Sequence, residues 1–214
     1  MILEKTDKRY WDQIEVGDMI SLSDPQSILD AQEAGLESFN LEVKRIRKIT
    51  QEDDLVTWNL YDIQQQETNL VLLVKIVDAE IDTYIFFEEE ELSQMDRDDL
   101  INTDLEFLFE EFNQEDIESS SELCFTSSIF KEECEFERKP QGELYGKSCV
   151  SPVQSGCDEV EFVTLVEYQA DLNELDNNQF LILEEGGEDS PSGGLVTCYS
   201  GSPISMFDVE LFKT

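Results

Sequence analysis

Most apolar residues of this chain fall in short runs bounded by turn-forming residues, and one stretch alone carries them at helical spacing. Val16 to Leu22 reads as an opening turn and a short strand. Asp24-Pro25 has the form of an N-cap with Pro at the first helical position, so a short helix is expected through Ile28, Leu29 and Ala31, stopping at Gly35. Strands are expected over Phe39 to Ile49, Leu55 to Ile63, Leu70 to Val77 and Ile81 to Phe87, the last after the turn Asp78-Ala79-Glu80. Leu70 to Val77 is nearly continuous apolar, the pattern of a strand covered on both faces.

The period then changes. Ile101, Leu105, Leu108 and Phe112 form a stripe that predicts one amphipathic helix near residues 98–113, with Asp96, Asp98 and Asp99 suited to the positive end of its dipole. Glu115 to Ser121 reads as a polar loop, and short strands are expected at Leu123 to Phe130 and Cys134 to Arg138. Lys139-Pro140-Gln141-Gly142 reads as a turn that divides the chain into residues 1–140 and 141–214. Beyond it, Val160 to Tyr168, Gln179 to Leu183, Leu195 to Tyr199 and Ile204 to Phe212 suggest a second meander packed on the first unit. Val160 to Tyr168 resembles Leu55 to Ile63, and Gln179 to Leu183 resembles Leu70 to Val74. A duplicated unit and a chance likeness of two meanders both account for that rhythm. The fold class expected is mainly β (α+β), built of antiparallel meander or barrel-like units.

Composition supports a folded body. Apolar residues make up 40% and include 13 Phe, 6 Tyr and 2 Trp, far more aromatic content than an acidic disordered chain carries. No apolar run is long enough for a membrane helix. Met1 to Tyr10 lacks the apolar core of a secretory signal, and the five cysteines lack C-x-x-C spacing. Reduced thiols in a cytoplasmic protein are therefore expected.

Charge changes the picture most. There are 51 acids against 14 bases, a net charge of −37. Nucleic acid and anionic membranes repel such a surface, while cationic surfaces attract it. The first 49 residues hold half of the bases, four of them within Lys44-Arg45-Ile46-Arg47-Lys48. That cluster is expected to pair with the protein's own acids across neighbouring strands, in preference to an RNA or DNA contact.

A family resemblance rests on Gly17-Asp18, Glu42-Val43, the strand pattern Trp58, Leu60, Tyr61 and Asp62, and Leu72-Leu73-Val74, with Phe162 to Tyr168 and Phe180 to Leu183 as a second unit. In these the chain resembles an uncharacterised bacterial β-domain family, domain of unknown function 4178, over residues 14–90 and 158–212. The resemblance implies a β-rich binding or accessory module and brings no catalytic residues.

Catalysis has little to work with. The chain contains no histidine, which removes Ser-His-Asp and Cys-His mechanisms and most zinc and non-haem iron sites. Gly186-Gly187 and Gly193-Gly194 lack the Lys and helix of a phosphate loop. Asp171 to Asp176 begins like a calcium loop and fails, with Leu175 at a ligand position and Asp176 in place of the required Gly. No catalytic residue, metal or cofactor is expected.

Two acidic clusters are the candidate partner-binding residues. Asp104, Glu106, Glu110, Glu111 and Glu115 flank the apolar stripe of the expected helix, where neighbours three or four apart lie about 5–6 Å from each other and resemble a row of phosphates. Glu88, Glu89, Glu90 and Glu91 form a charged strand end. The sequence thus points to a non-enzymatic acidic interaction or accessory module that binds a basic protein surface, with no direct nucleic-acid or membrane partner. A phage-type nucleic-acid mimic that inhibits a host nucleic-acid-binding protein is the sharper alternative. A carboxylate-dependent hydrolase has no positive support, and adaptation to high salt sits poorly with scarce Ala and abundant Ile, Phe, Asn and Gln.

Overall fold

The computed structural model describes residues 3–23, 40–51, 56–65, 68–78, 80–89, 122–127, 133–151, 160–170, 179–185 and 195–214. The expected helices after Asp24 and near residues 98–113 lie outside these residues. The described chain is mainly β: α1 (Lys8–Asp12), β1 (Met19–Leu22), β2 (Asn40–Gln51), β3 (Val56–Gln65), β4 (Thr68–Val77), β5 (Glu80–Glu88), β6 (Glu122–Thr126), β7 (Glu133–Ser151), β8 (Val160–Ala170), β9 (Gln179–Glu185), β10 (Leu195–Pro203), a 3-10 turn (Met206–Asp208) and β11 (Val209–Phe212).

Two compact units are interleaved along the sequence. The first comprises Met1–Phe87, Tyr145–Phe162 and Gly201–Thr214, and the second Glu88–Leu144 and Val163–Ser200. Neither is a continuous half of the chain.

In the first unit the strands run in the order β11, β1, β2, β3, β4, β5. Neighbours are antiparallel throughout this order. The β7 residues Gly146 to Ser151 pair with Gln51 to Ile46 of β2. The core lies on β3 and β4. Every residue from Leu70 to Ile76 is buried, so the apolar run does belong to a strand covered on both faces. Leu72 opposes Tyr61 on β3 and Ile85 on β5, with all three side chains buried. Each such aliphatic side chain contributes about 1.5–3 kcal/mol on leaving water.

An irregularity between Val43 and Arg45 breaks the register of β2 against β3. It has a consequence for the basic cluster. Val43 opposes Ile63, whereas Arg45, Arg47 and Ile49 oppose Asp62, Leu60 and Trp58. Since Ile63 and Asp62 point to opposite sides of β3, the extra residue carries Arg47 and Ile49 to the face away from Val43.

Two backbone positions close this unit. Gly17 has φ +96°, a conformation that L side chains rarely adopt, and its N–H donates to Val43 O at 2.8 Å. Gly201 packs against β5 so closely that a Cβ would lie 2.2 Å from Ile85 O and 2.9 Å from Phe86 Cα. Just beyond it, Ile204 N donates to Thr83 O and Thr83 Oγ1 donates to Ile204 O.

In the second unit the order is β10, β9, β8, β7, β6. β6 and β7 are antiparallel, with Leu123 opposite Phe136, and so are β8 and β9, with Leu165 opposite Leu183. Phe136 is buried.

Two expected features are corrected. Lys139-Pro140-Gln141-Gly142 is not a turn: β7 runs through it as a single strand. Its residues 133–137 pair with β6 and its residues 146–151 with β2, and pairing on both sides of Pro140 outweighs the local turn chemistry. Ile204 to Phe212 is not one strand: Ser205 caps the turn Met206–Asp208 by accepting from Phe207 N, and β11 starts only at Val209.

Candidate functional site

Of the nine acids expected to meet a partner, the structure describes Glu88 and Glu89. Asp104, Glu106, Glu110, Glu111, Glu115, Glu90 and Glu91 lie outside the described residues. Glu88 ends β5 and is half-buried. Glu89 is 2% exposed and faces protein, not solvent. Its N–H donates to Cys198 O at 2.9 Å, and its Oε1 accepts from the fully buried Ser127 Oγ at 2.6 Å. The period of a strand accounts for this. Ile85, Phe87 and Glu89 share one side of the chain, and the first two are buried as well. The same alternation was readable in the sequence beneath the run of four glutamates.

A serine hydroxyl held by a carboxylate is half of a nucleophile–base pair. Here Ser127 has no exposed surface, so the pair holds two segments of the second unit together and offers no seat to a substrate. The Cys198 thiol beside it is buried and forms no disulfide. Burial, then the charges of Glu89 and Glu88, push it up to about 12.

The basic residues show where cationic charge goes in a protein of −37. Arg47 is buried and donates to Asp62 at 2.6 Å. Lys44 meets Glu42 at 2.6 Å along its own strand, and Lys48 meets Asp12 of α1 at 2.9 Å. Lys75 lies 5.7 Å from the centre of the Trp58 ring, a cation–π contact on a buried face. Arg9 grips Asp7, which that hydrogen bond lowers to about 2. Lys5 Nζ donates to Phe207 O at 2.9 Å. Lys213 donates to Asp18 at 2.7 Å and to Gln13 O, and lies 3.8 Å from Glu15. Burial pushes the Asp18 carboxyl up, but the Lys213 ammonium and the Glu15 amide outweigh it and hold the group below its ordinary value. Within Lys44 to Lys48, Lys44, Arg47 and Lys48 find carboxylates of their own chain, but only Arg47 does so across neighbouring strands, as expected: Lys44 pairs along β2 and Lys48 with α1. The pairs made by Lys213 and Lys5 span nearly the whole chain, and no local pattern announces them.

Among the described residues, no three Cys, Asp or Glu side chains gather as a metal-ligand set, and no helix is long and apolar enough to cross a membrane. No family model, no curated protein and no solved structure matches this chain.

Proposed function

We propose that this protein is a non-enzymatic acidic interaction module, or accessory module, that binds a cationic protein surface. One observation carries the reading: acids outnumber bases 51 to 14, and Lys44, Arg47, Lys48, Arg9 and Lys213 are each paired with a carboxylate of their own chain. The excess acids therefore meet little cationic competition from their own chain, and their summed field draws in a basic partner. A cytoplasmic setting accords with a Cys198 thiol that is in no disulfide.

The sharper alternative is a phage-type mimic that occupies a nucleic-acid groove on a host protein. The spacing of Asp104, Glu106, Glu110, Glu111 and Glu115 favours it, because a helix would fix these acids as a row. The deciding measurement is a binding titration against a partner recovered by pull-down, at two salt concentrations. It compares wild type with the triple substitution Glu106→Gln, Glu110→Gln and Glu111→Gln. Association should slow as salt rises, since exposed charges are screened beyond about 8 Å at physiological ionic strength. The mimic also requires a loss of association rate in the triple variant. Affinity indifferent to salt would overturn the electrostatic reading. Affinity that depends on salt but ignores the triple substitution would retire the mimic alone.

A further inference from the structure

The charge of this protein has a gap in it. Residues 3–23 carry five acids and three bases, residues 40–51 carry one and four, and residues 204–214 carry two and one. These three segments build α1, β1, β2 and β11 of the first unit, and together they hold eight acids and eight bases. Their net charge is zero, so the whole −37 resides elsewhere in the chain. The register assembles them into one region: β1 lies between β11 and β2, with Phe212 opposite Met19 and Met19 opposite Glu42.

The same region holds the large apolar side chains that the described residues leave exposed. They are Val16 at 38%, Phe207 at 66% and Phe212 at 50%. Phe207 lies in the turn before β11 and Phe212 ends β11, while Val16 lies next to Gly17, whose carbonyl accepts from Thr214. Elsewhere in the first unit, aromatic side chains such as Trp58, Tyr61 and Phe86 are buried.

We infer that this neutral, aromatic-bearing edge is where two copies of the protein meet. A cationic partner finds no net charge here to attract it, and an anionic one finds none either. For a second copy the reasoning runs the other way. Two bodies of −37 repel wherever their acidic surfaces approach, and this region, whose described segments sum to no net charge, lets them touch without bringing like charge together. Exposed aromatics are the side chains best suited to anchor such a contact, and a two-fold arrangement sets each copy's Phe207 and Phe212 against the other. The contact is made by side chains and not by strand addition. The backbone at this edge is already engaged: β1 pairs with β11 along Val209 to Phe212, Tyr10 hydrogen-bonds the Leu211 backbone, and Lys5 takes the Phe207 carbonyl in the turn before β11.

This inference does not rest on the cationic-partner reading, and salt separates the two. Screening weakens attraction to a basic partner but relieves repulsion between two acidic copies, so self-association should strengthen as salt rises. The test is the mass in solution by sedimentation equilibrium, over a range of protein and salt concentrations. The variants are Phe207→Asp with Phe212→Asp and, as a milder pair, Phe207→Ser with Phe212→Ser, each checked for folding by near-ultraviolet circular dichroism. The expected result is twice the 24.6 kDa monomer mass at high protein concentration, favoured by salt, with dimerisation about tenfold weaker or worse in both double variants. A monomer at every concentration and salt would overturn the inference. So would a dimer that both folded variants leave unchanged.

Discussion

Within the first unit, the middle of the sheet and its β1–β11 edge are held by different physics. In the middle, β3 and β4 bury aliphatic and aromatic side chains on both faces, and Lys75 of β4 and Arg47 of β2 are drawn inside against Trp58 and Asp62. At the edge, short strands of four residues are tied by Lys213 to Asp18, Lys48 to Asp12 and Lys5 to Phe207, while Phe207 and Phe212 stay in water. Apolar burial depends little on salt or pH, whereas exposed ion pairs depend on both. The middle should therefore set the stability of the unit, and the edge should set how that stability responds to conditions.

The largest effect should come from the middle. Leu72→Ala removes a fully buried side chain and should cost about 2–5 kcal/mol in denaturant unfolding, with a response nearly independent of salt. Gly201→Ala should also be severe. It sets a methyl group against the β5 backbone, and its signature is a large loss of melting temperature that no enlargement elsewhere on the surface matches. A loss below 1 kcal/mol for Leu72→Ala would break the comparison at its root.

Asp62→Ala should be intermediate. It removes a charge-assisted bond to the buried Arg47, worth about 2 kcal/mol, in a place where salt screens little. At the edge, Lys213→Ala should cost about 1 kcal/mol or less and lose its effect in high salt. Its partner supplies the pH test. The folded pKa of Asp18 is lowered from the ordinary 3.8, so its contribution is full above that value and is lost as pH falls through the lower folded value. Wild type should accordingly lose more stability than Asp18→Asn on acidification from about pH 5, as monitored by urea midpoints. Smallest of all, Arg9→Ala breaks only an exposed pair and should leave the unfolding midpoint where it was.

How much of this was legible depends on how local each cause was. β3, β4 and β5 announced themselves, because apolar runs bounded by turns need no distant partner to be recognised. β7 did not, because its passage through Pro140 is decided by strands far away in sequence. α1 escaped notice because five residues make too short a stripe for any period to show. Its start is nevertheless written in Asp7, whose side chain accepts from Arg9 N. Among the candidate partner-binding acids, Glu89 was misread as a surface charge because composition spoke louder than alternation. Four glutamates in a row look solvated, yet the second continues the buried side of Ile85 and Phe87. The ties of Lys213 and Lys5 join the two ends of the described chain, and residues so remote cannot be paired by inspection.

Cys198 turns this architecture into a clock. Burial and the charges of Glu89 and Glu88 raise the thiol far above its ordinary value, so it is almost wholly protonated at neutral pH, and buried as it is no reagent reaches it while the unit is closed. Alkylation at this residue, followed by mass spectrometry of the Leu195–Pro203 segment, therefore counts openings of the second unit one by one. Its rate should rise steeply with denaturant and stay flat for substitutions confined to the β1–β11 edge, timing the second unit within a chain whose two units are interleaved.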